Sequence, residues 1–196
     1  MERKADVCRK TKETEIAVAM NLDGCGKADL DVPVGFLAHL LNAFTQHGLF
    51  DLKVRAKGDL DVDEHHLTED LGLVLGDCLK KALADKKGIR RFGFASVPMD
   101  EALVEVSLDI SGRPYLVLLL PRLPRNKGHF EFGDAREFLR AFTQTAGVTL
   151  HLECRRGENQ HHILEALFKS LGRALKEAVS REPRLAGRVP STKGRI

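Results

Sequence analysis

Between Thr14 and Leu22 the apolar residues Ile16, Val18, Met20 and Leu22 fall on every second position. A period of two predicts a half-buried strand. Asp23-Gly24 and Gly26 follow as a turn. Residues 35–46 take helical spacing, LFDLKVRAKGDLDV (49–62) suits a hairpin, and 65–83 suits a second helix. Further on, EALVEVSLDI (101–110) and YLVLLL (115–120) are predicted strands. They are followed by a helix at 134–145, a strand VTLHLEC (148–154) and a helix at 161–180. Two runs of strands and helices in the same order predict an α+β fold, each half a β-sheet covered on one face by helices.

That order reflects an internal repeat. DEHHLTEDLGLVLGDCLKKAL (63–83) lies over NQHHILEALFKSLGRALKEAV (159–179) at an offset of 96. The shared positions include both histidines, the glutamate, Leu75/Leu171, Gly76/Gly172 and Leu79/Leu175. Upstream, HLLNAFTQ (39–46) lies over EFLRAFTQ (137–144) at an offset of 98, which predicts a shorter hairpin in the second copy. Offsets near half the chain length divide it into tandem halves, 1–96 with HHLTED and 97–196 with HHILEA, together forming one compact domain.

Composition narrows the function classes. The longest apolar run, Tyr115 to Leu120, ends at Pro121 and is far short of the roughly 20 residues needed to span a bilayer. MERKADVCRKTKETEI has no apolar core for a secretory signal, so the expected location is the cytosol. Cys8, Cys25, Cys78 and Cys154 show no CxxC spacing and are read as free thiols. A net charge of +3 is too small to argue for nucleic acid, and the basic stretch 181–195, broken by prolines, is read as a solvated tail.

The repeated histidines carry the candidate chemistry. At 100° per residue, His65, His66 and Glu69 fall at about 0°, 100° and 40°, whereas Leu71, Leu75, Cys78 and Ala82 cluster between about 220° and 280°. The His/Glu edge therefore points away from the stripe that packs on the sheet, and the same holds for His161, His162 and Glu165. Adjacent histidines splayed this far do not close on one ion; they suit two ions, or one ion and a proton donor. Imidazoles and carboxylates without thiolates favour Mn²⁺, Fe²⁺ or Zn²⁺, with oxygen ligands tilting the choice towards Mn²⁺. His39 and Glu137, in equivalent places before AFTQ, extend the ligand set. Lys169 lies on the ligand edge about 6 Å beyond Glu165, and its counterpart is Leu73, so one copy alone places a cation there.

Ordered motifs along nearly the whole chain then become decisive: KTKETEI, GLFDLKVRAKGDL, HHLTEDLGLVLG, GIRRFGFASVPMDEAL, LDISGRP, TLHL, GENQHHILEALFKSLGRAL and PSTKG. In these the chain resembles the imidazoleglycerol-phosphate dehydratases of histidine biosynthesis. The resemblance implies the duplicated fold of ribosomal S5 domain 2 type. It also implies two Mn²⁺ ions per active site, held by His39, His65, His66, Glu69, Glu137, His161, His162 and Glu165. Arg91 and Arg113, with Lys169, Ser191 and Lys193, are implied as the grip on the substrate phosphate, and His47 as a further substrate contact. Glu13 matches the glutamate implied in proton transfer, with Glu69 and Glu165 beside the chemistry. The implied reaction removes water from D-erythro-imidazole-glycerol phosphate to give imidazole-acetol phosphate. The implied assembly is a homo-oligomer of 24 subunits built from trimers, with active sites at subunit contacts, and with neither nucleic acid nor membrane as partner.

The chain departs from the family pattern at Ala38, where an aspartate usually precedes the first ligand histidine, and at Leu67, where a hydroxyl residue is usual. Glu137 stands where some members carry histidine. His129 and His151 are read as structural or exposed. Two other classes are weighed: a non-catalytic, metal-dependent assembly protein that kept the ligands and lost turnover, and an RNA-binding α+β module. The modest charge and the lack of basic-aromatic strand motifs count against the second.

Overall fold

The computed structural model describes residues 2–123, 130–185 and 187–196, so His129 lies outside the described residues. The first half runs β1 (Lys4–Lys10), β2 (Thr14–Asn21), β3 (Ala28–Asp31), α1 (Gly35–Gly48), β4 (Asp51–Gly58) and α2 (His65–Leu83). The second repeats that order as β5 (Phe92–Met99), β6 (Ala102–Asp109), β7 (Tyr115–Leu119), α3 (Phe132–Ala146), β8 (Thr149–Arg156) and α4 (Gln160–Val179). The sheets have matching strand orders, β1-β2-β4-β3 and β5-β6-β8-β7. In each, the pair joined through a helix is parallel and the other pairs are antiparallel, because a parallel neighbour requires a crossover. The expected duplicated α+β architecture is what the chain adopts.

One expected element differs. Residues 49–62 hold a single strand, β4, with no hairpin, because β2 takes one edge of it and β3 the other. The two-residue difference between the repeat offsets falls in the connection that follows, which is shorter between β8 and α4 than between β4 and α2.

Each sheet turns one face inward. Ile16, Val18 and Met20 of β2 are buried, as are Val104, Val106 and Leu108 of β6. Helix α2 lies on the first sheet and α4 on the second. The helices then pair between halves, α1 against α4 and α2 against α3. The duplicated glycines set the closeness of these contacts. A Cβ on Gly172 would stand 2.4 Å from the Phe44 carbonyl oxygen, and one on Gly76 would stand 2.5 Å from that of Phe142. Phe44 and Phe142 are themselves repeat equivalents, so one packing contact is made twice, each time between halves. Asp70, buried in α2, accepts hydrogen bonds from Thr14 and Arg9 and thereby ties β1 and β2 to the helix beside Glu69.

Candidate metal and substrate site

Both His-His pairs open a helix, and the local sequence fixes their start. The Asn159 side chain accepts a hydrogen bond from the His161 N–H at 2.9 Å, and Asp63 accepts one from the His65 N–H at 2.8 Å. Each residue thereby satisfies a backbone donor that the first helical turn leaves open. Within each pair the rings stand nearly perpendicular, at 74° for His65/His66 and 86° for His161/His162. Adjacent imidazoles therefore point to separate places.

The pairing of α1 with α4 brings His39 onto the second copy of the motif. His39 Nε2 and His161 Nε2 each lie 3.4 Å from Glu165 Oε2. The ligand atoms of these three residues all fall within 4.8 Å of one another, close enough to hold one metal ion. Phe36 stacks on His161 with 4.6 Å between ring centroids and lies parallel to His39, walling one side. Lys169 Nζ donates to the other oxygen, Oε1, of Glu165 at 2.7 Å and to Met99 Sδ. Burial pushes the Glu165 carboxyl up, but Lys169 and His39 outweigh it and hold the group below the usual glutamate range. Along this edge, which faces away from the sheet, His161 is exposed but the Glu165 side chain is only 12% exposed, because α1 covers that side of α4.

The pseudo-equivalent group forms between α2 and α3. His65 Nε2 lies 3.4 Å from Glu69 Oε2, and Arg140 from α3 joins the other Glu69 oxygen, at 3.4 Å, to Glu137, at 2.7 Å. Glu137 thus reaches the first copy of the motif through Arg140, whereas His39 lies directly against the second. Each constellation is assembled across the halves.

His66 and His162 stand apart from both groups. His66 Nδ1 is 3.0 Å from Asp59 Oδ2, and His162 Nδ1 is 2.7 Å from Glu101 Oε2. The Asp59 carboxylate raises the His66 pKa, with Glu13 among the nearby charges that add to it, and Glu101 raises that of His162. Glu101 in turn is pulled down to about 2, first by His162 and then by the Asn159 N–H. A raised histidine contributes stability that is complete below about pH 6.5 and lost as pH rises through its folded-state pKa; a depressed glutamate contributes above about pH 4.3 and loses it as pH falls. In metal-free protein, the thermal midpoint is therefore expected to carry an increment bounded on both the acid and alkaline sides. Scans of H66Q/H162Q against the parent across pH should show that increment removed.

The residues implied for phosphate lie elsewhere in the chain. Arg91, in a left-handed backbone conformation at φ 76°, donates from Nε and Nη2 to Asp109 at 2.7 and 3.1 Å, and from Nη1 to the Pro190 carbonyl at 2.9 Å. Arg113 Nη2 lies 3.9 Å from the same aspartate. Ser191 lines a surface hollow with Arg91, and the exposed Lys193 donates its N–H to Ser191 Oγ. The Arg91 N–H bonds the Ala178 carbonyl, seventeen residues along α4 from His161, or about 25 Å. Lys169 stays at the Glu165 end. The His47 ring is held below its usual pKa by desolvation and then by the Lys169 and Arg173 cations. Glu13 is exposed, in the β1–β2 turn, its carbonyl accepting the Asp59 N–H. His151 is exposed on β8, beside Tyr115.

Phe36, Asp59, Asp109, Glu101 and Arg140 are site neighbours that the sequence reading did not find. Asp59, Asp109 and Glu101 lie within the quoted motifs GDL, LDISGRP and DEAL. Glu101, in the β5–β6 turn, occupies the place that Glu13 takes in the β1–β2 turn, whereas the other four have no equivalent of matching type in the repeat.

Comparison with known proteins agrees with the geometry. A family model described as imidazoleglycerol-phosphate dehydratase matches residues 32–175. The chain is 56% identical to the imidazoleglycerol-phosphate dehydratase of Thermoanaerobacter pseudethanolicus over 98% of both chains, and 52% identical to that of Acetivibrio thermocellus over the whole of both. Among solved structures, that of the Staphylococcus aureus enzyme superposes with a TM-score of 0.82 at 36% identity, covering 91% of this chain and 99% of that one. The Pyrococcus furiosus enzyme gives 0.83 at 37% identity, covering 97% of this chain and all of that one. With fold, full-length similarity and the repeated His/Glu constellations in agreement, this chain is a member of the imidazoleglycerol-phosphate dehydratase family, an enzyme of histidine biosynthesis.

Proposed function

We propose that the chain dehydrates D-erythro-imidazole-glycerol phosphate to imidazole-acetol phosphate at a site holding two Mn²⁺ ions. The observation that carries this reading is the convergence of His39, His161 and Glu165; in the other half His65 approaches Glu69, which Arg140 bridges to Glu137. The donor set fits the metal: imidazole nitrogens and carboxylate oxygens meet there, and the four cysteines do not. His66 and His162 complete the proposed ligand set. When bound, the metal lowers the pKa of the substrate's ring N–H, which makes loss of the neighbouring hydroxyl feasible.

The chain's own residues supply the rest. Glu165, kept ionised by Lys169 and His39, is ready to ligate without first losing a proton. Phe36 limits water on one side of His161. Arg91 and Arg113 offer guanidinium forks to phosphate oxygens, with Ser191 and Lys193 beside them and Lys169 contributing from the Glu165 end. Glu13 transfers the proton from the carbon next to the one that loses its hydroxyl.

The separation of about 25 Å along α4 between the arginines and His161 exceeds the span of a small phosphate ester. It supports sites completed between subunits, in a particle of 24 chains built from trimers. His66 and His162, held by Asp59 and Glu101 outside the converging group, support the same arrangement. The proposed enzyme acts in the cytoplasm on a phosphate ester, without nucleic-acid or membrane partners; among the described residues no helix is long and apolar enough to cross a membrane.

The test is turnover after chelation. Protein stripped with a chelator should be inactive and should recover with Mn²⁺. Absence of turnover with every divalent metal tried would leave the non-catalytic assembly protein as the better reading.

A further inference from the structure

The two histidines outside the metal-binding groups share a feature that the repeat does not explain. His66 receives Asp59 from the connection between β4 and α2, whereas His162 receives Glu101 from the turn between β5 and β6. The carboxylates differ in type, in element and in position along the half, yet each meets the Nδ1 atom of the second histidine of its pair. The first histidines, His65 and His161, instead approach the glutamate one turn later through Nε2.

We infer that Asp59 and Glu101 are positioning residues that fix the tautomer and aim of His66 and His162 for metal ligation. A carboxylate only accepts hydrogen bonds, so each holds the proton of a neutral imidazole on Nδ1. The lone pair is thereby left on Nε2, which in His162 lies 3.7 Å from the exposed Asp100 carboxylate, beyond hydrogen-bond distance. A ligating histidine whose other ring nitrogen donates to a carboxylate is a recurrent arrangement at metal sites, where the partner sets both orientation and basicity. Glu101 is itself anchored. Its Oε1 accepts the N–H groups of Glu158 at 3.3 Å and Asn159 at 2.9 Å, leaving Oε2 for the ring. The turn that starts α4 is thus rigidly tied to the direction in which His162 points.

The inference rests on the proposed metal site, and the test separates the two. In D59N and E101Q an amide replaces the carboxylate at nearly the same shape. The amide nitrogen can donate to Nδ1, which moves the ring proton to Nε2 and blocks the ligand lone pair. Chelated full-length protein is titrated with Mn²⁺, and free metal is followed by electron paramagnetic resonance. The parent should bind Mn²⁺; each variant should bind it about 10–100-fold more weakly, with partial rescue in D59E and E101D. Thermal midpoints of the metal-free variants serve as the folding control, and D59N keeps the test open if E101Q weakens the start of α4. Failure of the parent to bind Mn²⁺ overturns the metal site and this inference with it. A parent that binds, with D59N and E101Q both within twofold of it, overturns the inference alone.

Discussion

Replacement of Glu165 by alanine is expected to remove one metal from the protein and to lower turnover by about a thousandfold or more, the scale of several kcal/mol of lost charge stabilisation. Glu165 is where the first constellation converges: two imidazoles approach one of its oxygens and Lys169 the other. No neighbouring carboxylate within the His39 group can take its place. The Lys169 ammonium is left without its partner, yet it is partly exposed and sits on a flexible stem. The fold should therefore survive and the loss should be functional. Glutamine is the informative companion, because E165Q keeps the volume and one acceptor oxygen but removes the charge. It should retain more metal than E165A and still fall well below the parent. Metal per chain, measured by elemental analysis alongside turnover, checks both variants. Full metal content in E165A would detach this group from catalysis.

The second large effect is structural. Gly172→Ala is expected to destabilise the protein by about 2 kcal/mol, within the range typical of overpacking, and Gly76→Ala by a similar amount. Alanine alone favours a helix over glycine by up to about 1 kcal/mol, so the sign depends on the clash. An added Cβ at Gly172 would stand 2.4 Å from a backbone carbonyl and 3.1 Å from the Gly48 nitrogen. At Gly76 it would stand 2.2 Å from Thr145 Oγ1 and 2.9 Å from the Ala146 nitrogen. Backbone atoms cannot swing aside as a side-chain tip does, so the helices must separate. For a chain of this length the thermal midpoint should fall by about 2–4 °C per kcal/mol. The two contacts lie in different helix pairs, so the double variant should be close to additive. The consequences for the site differ. G172A parts α1 from α4 and should loosen the His39–His161–Glu165 group, whereas G76A parts α2 from α3 and should loosen the Glu69–Glu137 group. Raised melting temperatures in both variants would show that helix propensity, not close approach, governs these positions.

The helices were legible from the sequence because each carries a long apolar stripe. The strands were legible where one face is buried, as in β2 and β6. Three strands escaped. β1 buries only Val7 among charged and polar neighbours, and β3 is four residues long. In β5 the pattern is inverted, with Phe92 and Phe94 outside and Gly93 and Ala95 inside, so the apolar signal points away from the core. The repeat made the His/Glu residues visible as candidates. It could not reveal that His39 faces Glu165 or that Glu137 shares Arg140 with Glu69, because superposing the copies matches equivalent residues, whereas packing joins inequivalent ones. Asp59 was hidden for a related reason, having no equivalent carboxylate in the second half; Glu101 stands where Glu13 stands in the first half, but that turn lies outside the aligned His/Glu stretches.

The exchange of helices across the molecule also bears on how such a chain arose. Cut between α2 and β5, each piece would keep a His-His helix but lose the helix that faces it. A half-length ancestor could have built either constellation only by docking with another molecule of its own kind. Fusion of two copies made that encounter intramolecular, so its success no longer depended on protein concentration. It also freed the two copies to diverge, histidine at position 39 and glutamate at 137, without breaking a symmetry that both had once needed.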